Sequence, residues 1–271
     1  MHLLLCGDVV GRPGRDAVKS HLPRLRRELA LDVAIVNAEN MAHGFGLNEK
    51  LCGEMYEAGA DILTTGNHVW DQKEIIPYIE RDPRVLRPAN FPPGTPGAGT
   101  YLQALPDGRK LLVVNLMGRL FMDALDDPFR GLDAAIAPYA LSRDLAIVVD
   151  FHAEATSEKA AFGHLADGRV SAVIGTHTHV PTADHRILPG GTAFVSDIGM
   201  CGNYDSVIGM QKEPSLRRFV SKMPTGGKPQ VAEGEGTLCG VFVVTDDATG
   251  LARRIEPVRL GGVLAPQMPS P

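Results

Sequence analysis

Five short apolar runs in this chain each end in a cluster of polar side chains, and no other feature restricts the fold as strongly. The central run, Ile62-Leu63, leads into Thr64-Thr65-Gly66-Asn67-His68. Short apolar runs that stop at polar or glycine residues are typical of buried strands. In an α/β sheet, chemistry collects where strands end and loops begin. The other four clusters are Gly7-Asp8, Asn37-Ala38-Glu39-Asn40, Asp150-Phe151-His152-Ala153-Glu154 and Gly175-Thr176-His177-Thr178-His179.

Helical patterns separate the apolar runs along much of the chain. The first helix carries Pro23, which either kinks it or marks its start. Asn48 is in position to cap the second helix. Strands and helices that alternate without a linker predict one α/β domain over residues 1–271, with a flexible tail after about residue 264. The apolar positions of the first helix are Val18, Leu22, Leu25 and Leu29.

Three segments carry weaker signals. The proline-rich stretch 83–99 is predicted to be an ordered loop or a lid, and the polar stretch 203–236 an irregular interface or lid. Asp71 and Glu74 have the spacing of a capping box for the helix that follows. A structural role is therefore expected for Asp71.

The charge balance narrows the range of partners. The chain has 27 basic and 32 acidic residues, a net charge of −5, and no basic stripe. A duplex nucleic acid is therefore an unexpected partner. A small nucleotide or phosphoester stays compatible, because a bound metal can supply the positive charge. The sequence leaves a homo-oligomer open.

Cysteine usage and hydropathy indicate a cytoplasmic protein. The four cysteines are widely spaced and form no Cys-x-x-Cys pair, which is typical of reduced thiols. The apolar run from Leu3 to Cys6 is too short for a secretory signal. No apolar run reaches the length of a membrane span.

The polar clusters have the composition of a metal centre. Carboxylates and imidazoles without clustered cysteines suit Mn, Fe or Zn. His177 and His179 are two residues apart, so in extended backbone both rings point to the same side. Glu39 is the natural carboxylate to bridge two ions. Two ions about 3.5–4 Å apart can polarise a phosphoryl group and hold a hydroxide for in-line attack.

Plainer interpretations apply to several residues. A serine hydrolase built from Ser157, His152 and Asp150 is disfavoured, because no Gly-x-Ser-x-Gly elbow surrounds any serine. Asp150 and Glu154 flank His152 and either orient a ring or cap the next turn. Phe45 and Trp70 can stack on a base, although core packing is favoured for both. Structural roles are expected for His2, His21, His43, His164 and His185.

The ordered clusters resemble the calcineurin-like metallophosphoesterase superfamily. Asp8, Gly66-Asn67-His68, His152 and the Gly175–His179 motif match its pattern in order. Two positions depart from that pattern. Val10 replaces the first histidine of the superfamily, and Glu39 replaces its bridging aspartate. At both positions the chain resembles one bacterial branch of the superfamily, the YmdB-like phosphodiesterases that act on 2′,3′-cyclic nucleotides.

The resemblance implies a fold, a set of ligands and a reaction. The fold is a two-sheet β-sandwich flanked by helices in four layers. The reaction is hydrolysis of a small phosphoester, with His68 as the proton donor and two divalent ions, iron or manganese, holding the nucleophile. One ion is expected at Asp8, Glu39, Asn40 and His179, with Asn40 replacing the histidine lost at Val10. The other ion is expected at Glu39, Asn67, His152 and His177.

Two other functions fit the same residues. A broader phosphatase or nuclease would use the same metals, although the lack of basic patches disfavours long nucleic acid strands. A regulatory protein could keep the fold with little turnover. An intact ligand set and His68 favour the phosphodiesterase.

Overall fold

The apolar runs form the strands of two facing sheets in the computed structural model, which describes residues 1–223 and 229–270. The strands are β1 His2–Cys6, β2 Asp8–Val9, β3 Val33–Asn37, β4 Ile62–Thr64, β5 Thr100–Ala104, β6 Lys110–Met117, β7 Leu145–His152, β8 Ala172–Thr176, β9 Arg186–Ile187, β10 Ala193–Val195, β11 Met200–Cys201, β12 Leu238–Thr245 and β13 Ala252–Leu260. The helices are α1 Gly11–Glu28, α2 Glu49–Glu57, α3 Ile75–Ile79, α4 Pro128–Ile136, α5 Thr156–Ala166 and α6 Lys212–Ser221.

Both large sheets combine parallel and antiparallel strands. The first has the order β13-β12-β1-β3-β4, with β1, β3 and β4 parallel and β12 antiparallel to β1. The second has the order β5-β6-β7-β8-β10-β9, with β6, β7, β8 and β10 parallel. A small parallel pair, β11-β2, lies beside them. The parallel strands read as continuous apolar runs because they are buried on both faces.

Alternate residues of these strands supply three buried layers. Leu3 and Leu5 of β1 pack with Val113 of β6 and Val148 of β7 between the sheets. Leu4 faces the opposite way, into the layer beneath α1 and α2. A third layer joins the outer face of the second sheet to α4 and α5. The molecule is thus a two-sheet sandwich flanked by helices, and the predicted four-layer fold is confirmed.

The first two helices follow their sequence signals closely. Pro23 lies inside α1, so it does not mark the start of this helix. The buried side of α1 includes Val18, Leu22 and Leu25, at the spacing that predicted it. The side chain of Asn48 accepts a hydrogen bond from the backbone N–H of Leu51 over 3.1 Å and caps α2, as predicted.

The capping-box prediction before α3 is wrong. The residue that precedes α3 is Glu74, whose side chain makes no capping hydrogen bond. Asp71 instead pairs with the ring of His68, with 2.9 Å between its Oδ2 and Nδ1 of the histidine. The carboxylate of Asp71 therefore contacts His68 instead of capping α3.

The segment 203–236 was expected to be irregular, but it contains α6. Residues 224–228 of the same segment lie outside the described residues. Leu216, Phe219, Val220 and Met223 have helical spacing, a signal that predicts this helix. None of the residues of α6 is buried.

The proline-rich loop and the tail are both ordered against the sheets. In the segment 83–99, Val85 pairs with Leu63 of β4, so this stretch is the predicted ordered loop. Residues after 264 were expected to be frayed, yet Gln267 exchanges two backbone hydrogen bonds with Arg259 of β13. That prediction is therefore wrong at Gln267.

In the described parts of the chain, no helix is both long and apolar enough to cross a membrane.

Candidate metal centre

The predicted site residues meet at one edge of the sandwich. Asp8 follows β1, Glu39 and Asn40 follow β3, and Asn67 follows β4 in the first sheet. His152 ends β7, and His177 and His179 follow β8 in the second sheet. Parallel strands bring their carboxyl ends to the same edge, so distant segments of the chain converge there. As the sequence predicted, both halves of the chain contribute.

The first group of ligand-type atoms surrounds His152. Glu39, His152 and His177 each offer an atom within 4.8 Å of the others. Nε2 of His152 lies 3.2 Å from Oε1 of Glu39 and 3.0 Å from Nδ1 of His177. The side-chain oxygen of Asn67 lies 3.0 Å from the same nitrogen. Four side chains from four strand ends therefore point at one small volume.

The second group shares Glu39 with the first. Asp8, Glu39 and His179 offer atoms within 4.8 Å of one another. The amide nitrogen of Asn40 lies 3.1 Å from Oε1 of Glu39 and 3.2 Å from Nε2 of His179. Glu39 is thus the carboxylate common to both groups, which is the position that a bridging ligand requires.

Two buried oxygens in this second group lack any hydrogen-bond partner among the described residues. They are Oδ1 of Asp8 and Oδ1 of Asn40. Leaving a buried acceptor unpaired costs about 1–3 kcal/mol, and more when it is charged. Oxygen acceptors beside imidazole nitrogens are the donor set of a divalent cation. The residues therefore fit a divalent metal site.

The buried carboxylates of the cluster also favour a positive charge beside them. Burial raises the pKa of Asp8 to about 6. Burial alone would raise the pKa of Glu39, but the neighbouring His152 ring lowers it to about 2. Burial alone would lower the pKa of His152, but Glu39 and Asp8 raise it to about 9. These carboxylates favour the protonated form of His152, and a cation can replace that positive charge.

His177 behaves in the opposite way. Burial, together with the positive charge of His152, lowers the pKa of His177 to about 3. Its ring is therefore neutral and keeps a free lone pair. Its Nε2 lies 3.2 Å from Oε2 of Glu154, and its Nδ1 faces the cluster. Glu154 thus orients the ring of His177, rather than that of the neighbouring His152.

A hydrogen-bond relay fixes the tautomer of His152. The hydroxyl of Thr176 donates to Oδ1 of Asp150 over 2.7 Å and lies 2.9 Å from Nδ1 of His152. The one hydroxyl proton is used on Asp150, so Nδ1 of His152 must donate to Thr176. Its Nε2 is then the nitrogen available to a metal. Asp150 orients His152 through Thr176, which confirms the orienting role over the capping role.

Replacing Thr176 tests this relay. We expect Thr176→Val to weaken Mn²⁺ binding roughly 10–100-fold, because the Nδ1 proton of His152 loses its acceptor. Thr176→Ser keeps the hydroxyl and is the matched control. Competition of each protein with a fluorescent chelator measures the metal affinity. Equal Mn²⁺ affinity in the valine and serine variants contradicts the relay.

His179 is fixed by a backbone carbonyl that sequence patterns did not reveal. Its Nδ1 lies 2.9 Å from the carbonyl oxygen of Ile208, which can only accept. Nδ1 therefore carries the proton, and Nε2 is free to face Asn40 and the second group. Ile208 belongs to the segment 203–236, so this segment supports the candidate metal centre.

The loop that carries the two histidines is strained and held by a buried ion pair. His177 and His179 have φ values of 100° and 67°, in the left-handed region that favours glycine. Asp197 accepts from the backbone N–H and the hydroxyl of Thr178 over 3.0 and 2.9 Å. Lys159 donates to Asp197 and to the carbonyl of Thr176, each over 2.8 Å. This pair stabilises the unusual backbone between the two ligands.

Gly66 permits the close approach of the groups beneath Asn67. A Cβ atom at this position would lie 2.2 Å from Nε2 of His152 and 2.4 Å from Oε2 of Glu39. No side chain fits at those distances. The glycine of the Gly-Asn-His motif is therefore a requirement of packing in the centre itself.

His68 lies beside the two groups rather than within them. Its backbone N–H donates to Oε2 of Glu39 over 3.2 Å, which ties it to the shared carboxylate. Asp71 holds Nδ1 of the ring, and Phe45 packs edge-on at 5.2 Å between ring centroids. The remaining nitrogen, Nε2, is free of Asp71, and the side chain lines the cavity above the centre.

The aromatic residues divide between core and cavity. Trp70 packs against the core and against Phe91, as expected for a structural residue. Phe45 lines the cavity above the centre, so its assignment to the core is wrong. The five histidines with expected structural roles lie outside both groups of ligand-type residues: His2, His21, His43, His164 and His185.

Comparison with known proteins supplies a family and several relatives. Residues 4–258 match the family model described as YmdB-like protein. The 2′,3′-cyclic-nucleotide 2′-phosphodiesterase of Bacillus subtilis strain 168 is 51% identical over 259 residues, covering 95% of this chain and 96% of that protein. The predicted family is thereby confirmed.

Two crystal structures share the fold. A hypothetical protein from Thermus thermophilus superposes with a TM-score of 0.90 at 42% identity, covering 97% of this chain and all of that one. A novel phosphatase from Mycoplasma pneumoniae superposes with a TM-score of 0.89 at 35% identity, covering 96% of this chain and 93% of that one.

Proposed function

The chain belongs to the YmdB-like protein family, and from that premise we propose that it hydrolyses 2′,3′-cyclic nucleotides as a metal-dependent phosphodiesterase. The observation that carries the proposal is Glu39, which is shared by two groups of ligand-type atoms, with the ring of His68 beside them. The similarity to the Bacillus subtilis phosphodiesterase supports the same substrate class.

Two ions, manganese or iron, are proposed to bind at these groups. Asp8 and His179, which offer ligand atoms close to each other, would hold one ion. The side-chain amide of Asn40 lies against His179 through its nitrogen, and Asn40 would join these ligands with the amide turned so that its unpaired oxygen faces the ion. Asn67, His152 and His177 would hold the other. Glu39 would bridge the two. Bound there, the ions would polarise the phosphoryl group and lower the pKa of the attacking water.

The residues of the chain supply orientation and a proton. Water adds to phosphorus, and the bond from phosphorus to one ribose oxygen of the ring breaks. The departing oxygen needs a proton, which Nε2 of His68 is free to donate because Asp71 holds Nδ1. The product is a nucleoside monophosphate with a free neighbouring hydroxyl. His68 regains its proton from solvent, to which its side chain is 29% exposed.

The setting of the enzyme is part of the same proposal. We propose a single domain, because both sheets contribute ligand-type residues and neither half of the chain holds a complete group. We place the enzyme in the cytoplasm. The four cysteines are buried and unpaired, which is typical of a reducing compartment. The expected partner is a small nucleotide or phosphoester, rather than duplex nucleic acid or a membrane.

A substrate panel tests the proposed reaction. Purified protein with added Mn²⁺ is assayed on 2′,3′-cyclic AMP, 3′,5′-cyclic AMP and p-nitrophenyl phosphate. We expect the highest kcat/KM on 2′,3′-cyclic AMP, because its vicinal oxygens present a strained ring to the centre. Highest activity on p-nitrophenyl phosphate would favour a broad phosphatase. No turnover of any of the three by metal-loaded protein would favour a regulatory protein.

A further inference from the structure

The cavity above the candidate metal centre has two chemically different sides. It measures about 930 Å³, within the range of small-molecule sites of about 300–1,000 Å³. Its floor is formed by the polar groups of the centre, including Glu39, His177 and His179. Another part of its lining consists of residues of α6 and the following turn, among them Arg218, Phe219, Lys222 and Met223.

The side formed by α6 is unusually apolar for an exposed surface. Phe219 is 68% exposed and Met223 is 63% exposed, although both line the cavity. No other aromatic ring of the described residues packs on Phe219. The ring of Phe45, by contrast, already packs against the ring of His68. Phe219 therefore offers a free aromatic face within the same cavity as the phosphate-binding groups.

Large exposed apolar side chains beside a charged centre indicate what the ligand must contain. A phosphate group gains nothing from Phe219, since anions are better solvated by water than by a benzene ring. A flat aromatic group attached to the phosphate gains stacking with Phe219, and the stacking removes apolar surface of both groups from water. Arg218 and Lys222 at the same side add positive charge for the remaining phosphate oxygens.

We propose that α6 forms a nucleobase subsite in which the base of the substrate stacks on Phe219 while its phosphate lies on the metal centre. The inference rests on the proposed phosphodiesterase function and adds the group that recognises the base. Stacking tolerates every base, because each has an aromatic face. The subsite therefore selects nucleotides over simple phosphoesters, without discrimination between adenine and uracil.

Binding measurements on metal-loaded protein test the subsite directly. Adenosine 3′-monophosphate and inorganic phosphate are titrated into the Mn²⁺-loaded protein by calorimetry. We expect Phe219→Ala to weaken binding of the nucleotide roughly 5–100-fold, as loss of base stacking does elsewhere. Its affinity for inorganic phosphate should change less than about two-fold, because phosphate makes no stacking contact. Phe219→Tyr keeps an aromatic face and should retain nucleotide binding.

Leu216 provides the matched control on the same helix. It is 55% exposed, and its side chain does not line the cavity. Leu216→Ala should leave both affinities unchanged. An equal loss for nucleotide and phosphate in Phe219→Ala, or no loss for either, overturns the subsite. If α6 is instead covered by a second copy of the chain, Phe219→Ala and Leu216→Ala will both change the sedimentation behaviour without selective loss of nucleotide, which also overturns it.

The outcome is separable from that of the proposed reaction. If nucleotide binding depends on Phe219 but 2′,3′-cyclic AMP is not hydrolysed, the subsite stands and the proposed reaction is wrong. If hydrolysis occurs and the loss of Phe219 affects phosphate and nucleotide equally, the reaction stands and the subsite is wrong.

Discussion

Glu39→Gln is expected to remove nearly all phosphodiesterase activity and to lower the metal content of the purified protein. Glu39 is the only carboxylate common to both groups of ligand-type atoms in the described residues. The glutamine keeps the shape but removes the negative charge that would hold two cations together. Loss of charge stabilisation worth several kcal/mol corresponds to roughly a thousand-fold or greater fall in kcat/KM.

Metal analysis and kinetics on the same protein samples check this expectation. Glu49→Gln is a suitable control, because Glu49 has the same side chain and is exposed at the start of α2. The control should keep wild-type metal content and activity. Two ions per chain and normal turnover in Glu39→Gln would show that Glu39 is not the bridge.

His68→Ala is expected to keep its metals and to lose activity in proportion to the difficulty of the leaving group. A ribose alkoxide leaves poorly unless it is protonated, and a positioned general acid contributes roughly 10²–10⁴-fold in rate. A nitrophenolate leaves without a proton. The variant should therefore lose roughly that factor on 2′,3′-cyclic AMP and much less on bis-p-nitrophenyl phosphate.

Comparison of the two substrates distinguishes this role from a structural one. If His68 only packs against Phe45 or orients Asn67, both substrates should suffer equally at matched metal content. Asp71→Asn supplies a second variant, since the amide keeps the contact with the ring but removes the charge beside it. It should show the same selectivity in weaker form. Equal losses on both substrates reject the general-acid assignment.

The position of the candidate ligands could be predicted from local motifs in the sequence. Each of the seven expected metal ligands falls at or just after a strand end, where a buried apolar run meets a polar cluster. Parallel pairing of those strands then brings the clusters together. Two sets of ligands need one carboxylate between them, which predicts Glu39 for that place, and Glu39 belongs to both groups in the structure.

The contacts that support the ligands could not be predicted from the sequence, because they join residues that no shared periodicity connects. Thr176 is part of a recognisable motif, but its role depends on Asp150, which is 26 residues away. The carbonyl of Ile208 has no side-chain signature, yet it fixes His179. Asp71 satisfies a local capping pattern and is used instead by His68. Sequence periodicity carries no information about such pairings.

Helix α6 was missed for a different reason. Its apolar residues have helical spacing, but the surrounding segment is polar and rich in glycine and proline. Helices are usually recognised by an apolar side that packs on a core. The apolar side of α6 is exposed and partly lines the cavity, so the helix lacks the core contact by which such a pattern is recognised.

We propose that this phosphodiesterase requires two metal ions. The most direct measurement is titration of metal-free protein with Mn²⁺ while hydrolysis of 2′,3′-cyclic AMP and bound metal are both recorded. We predict no hydrolysis without metal and a rate that reaches its maximum at two ions bound per chain. Full turnover in the presence of a strong chelator, or saturation with Mn²⁺ without any hydrolysis, would show that hydrolysis does not depend on two bound ions.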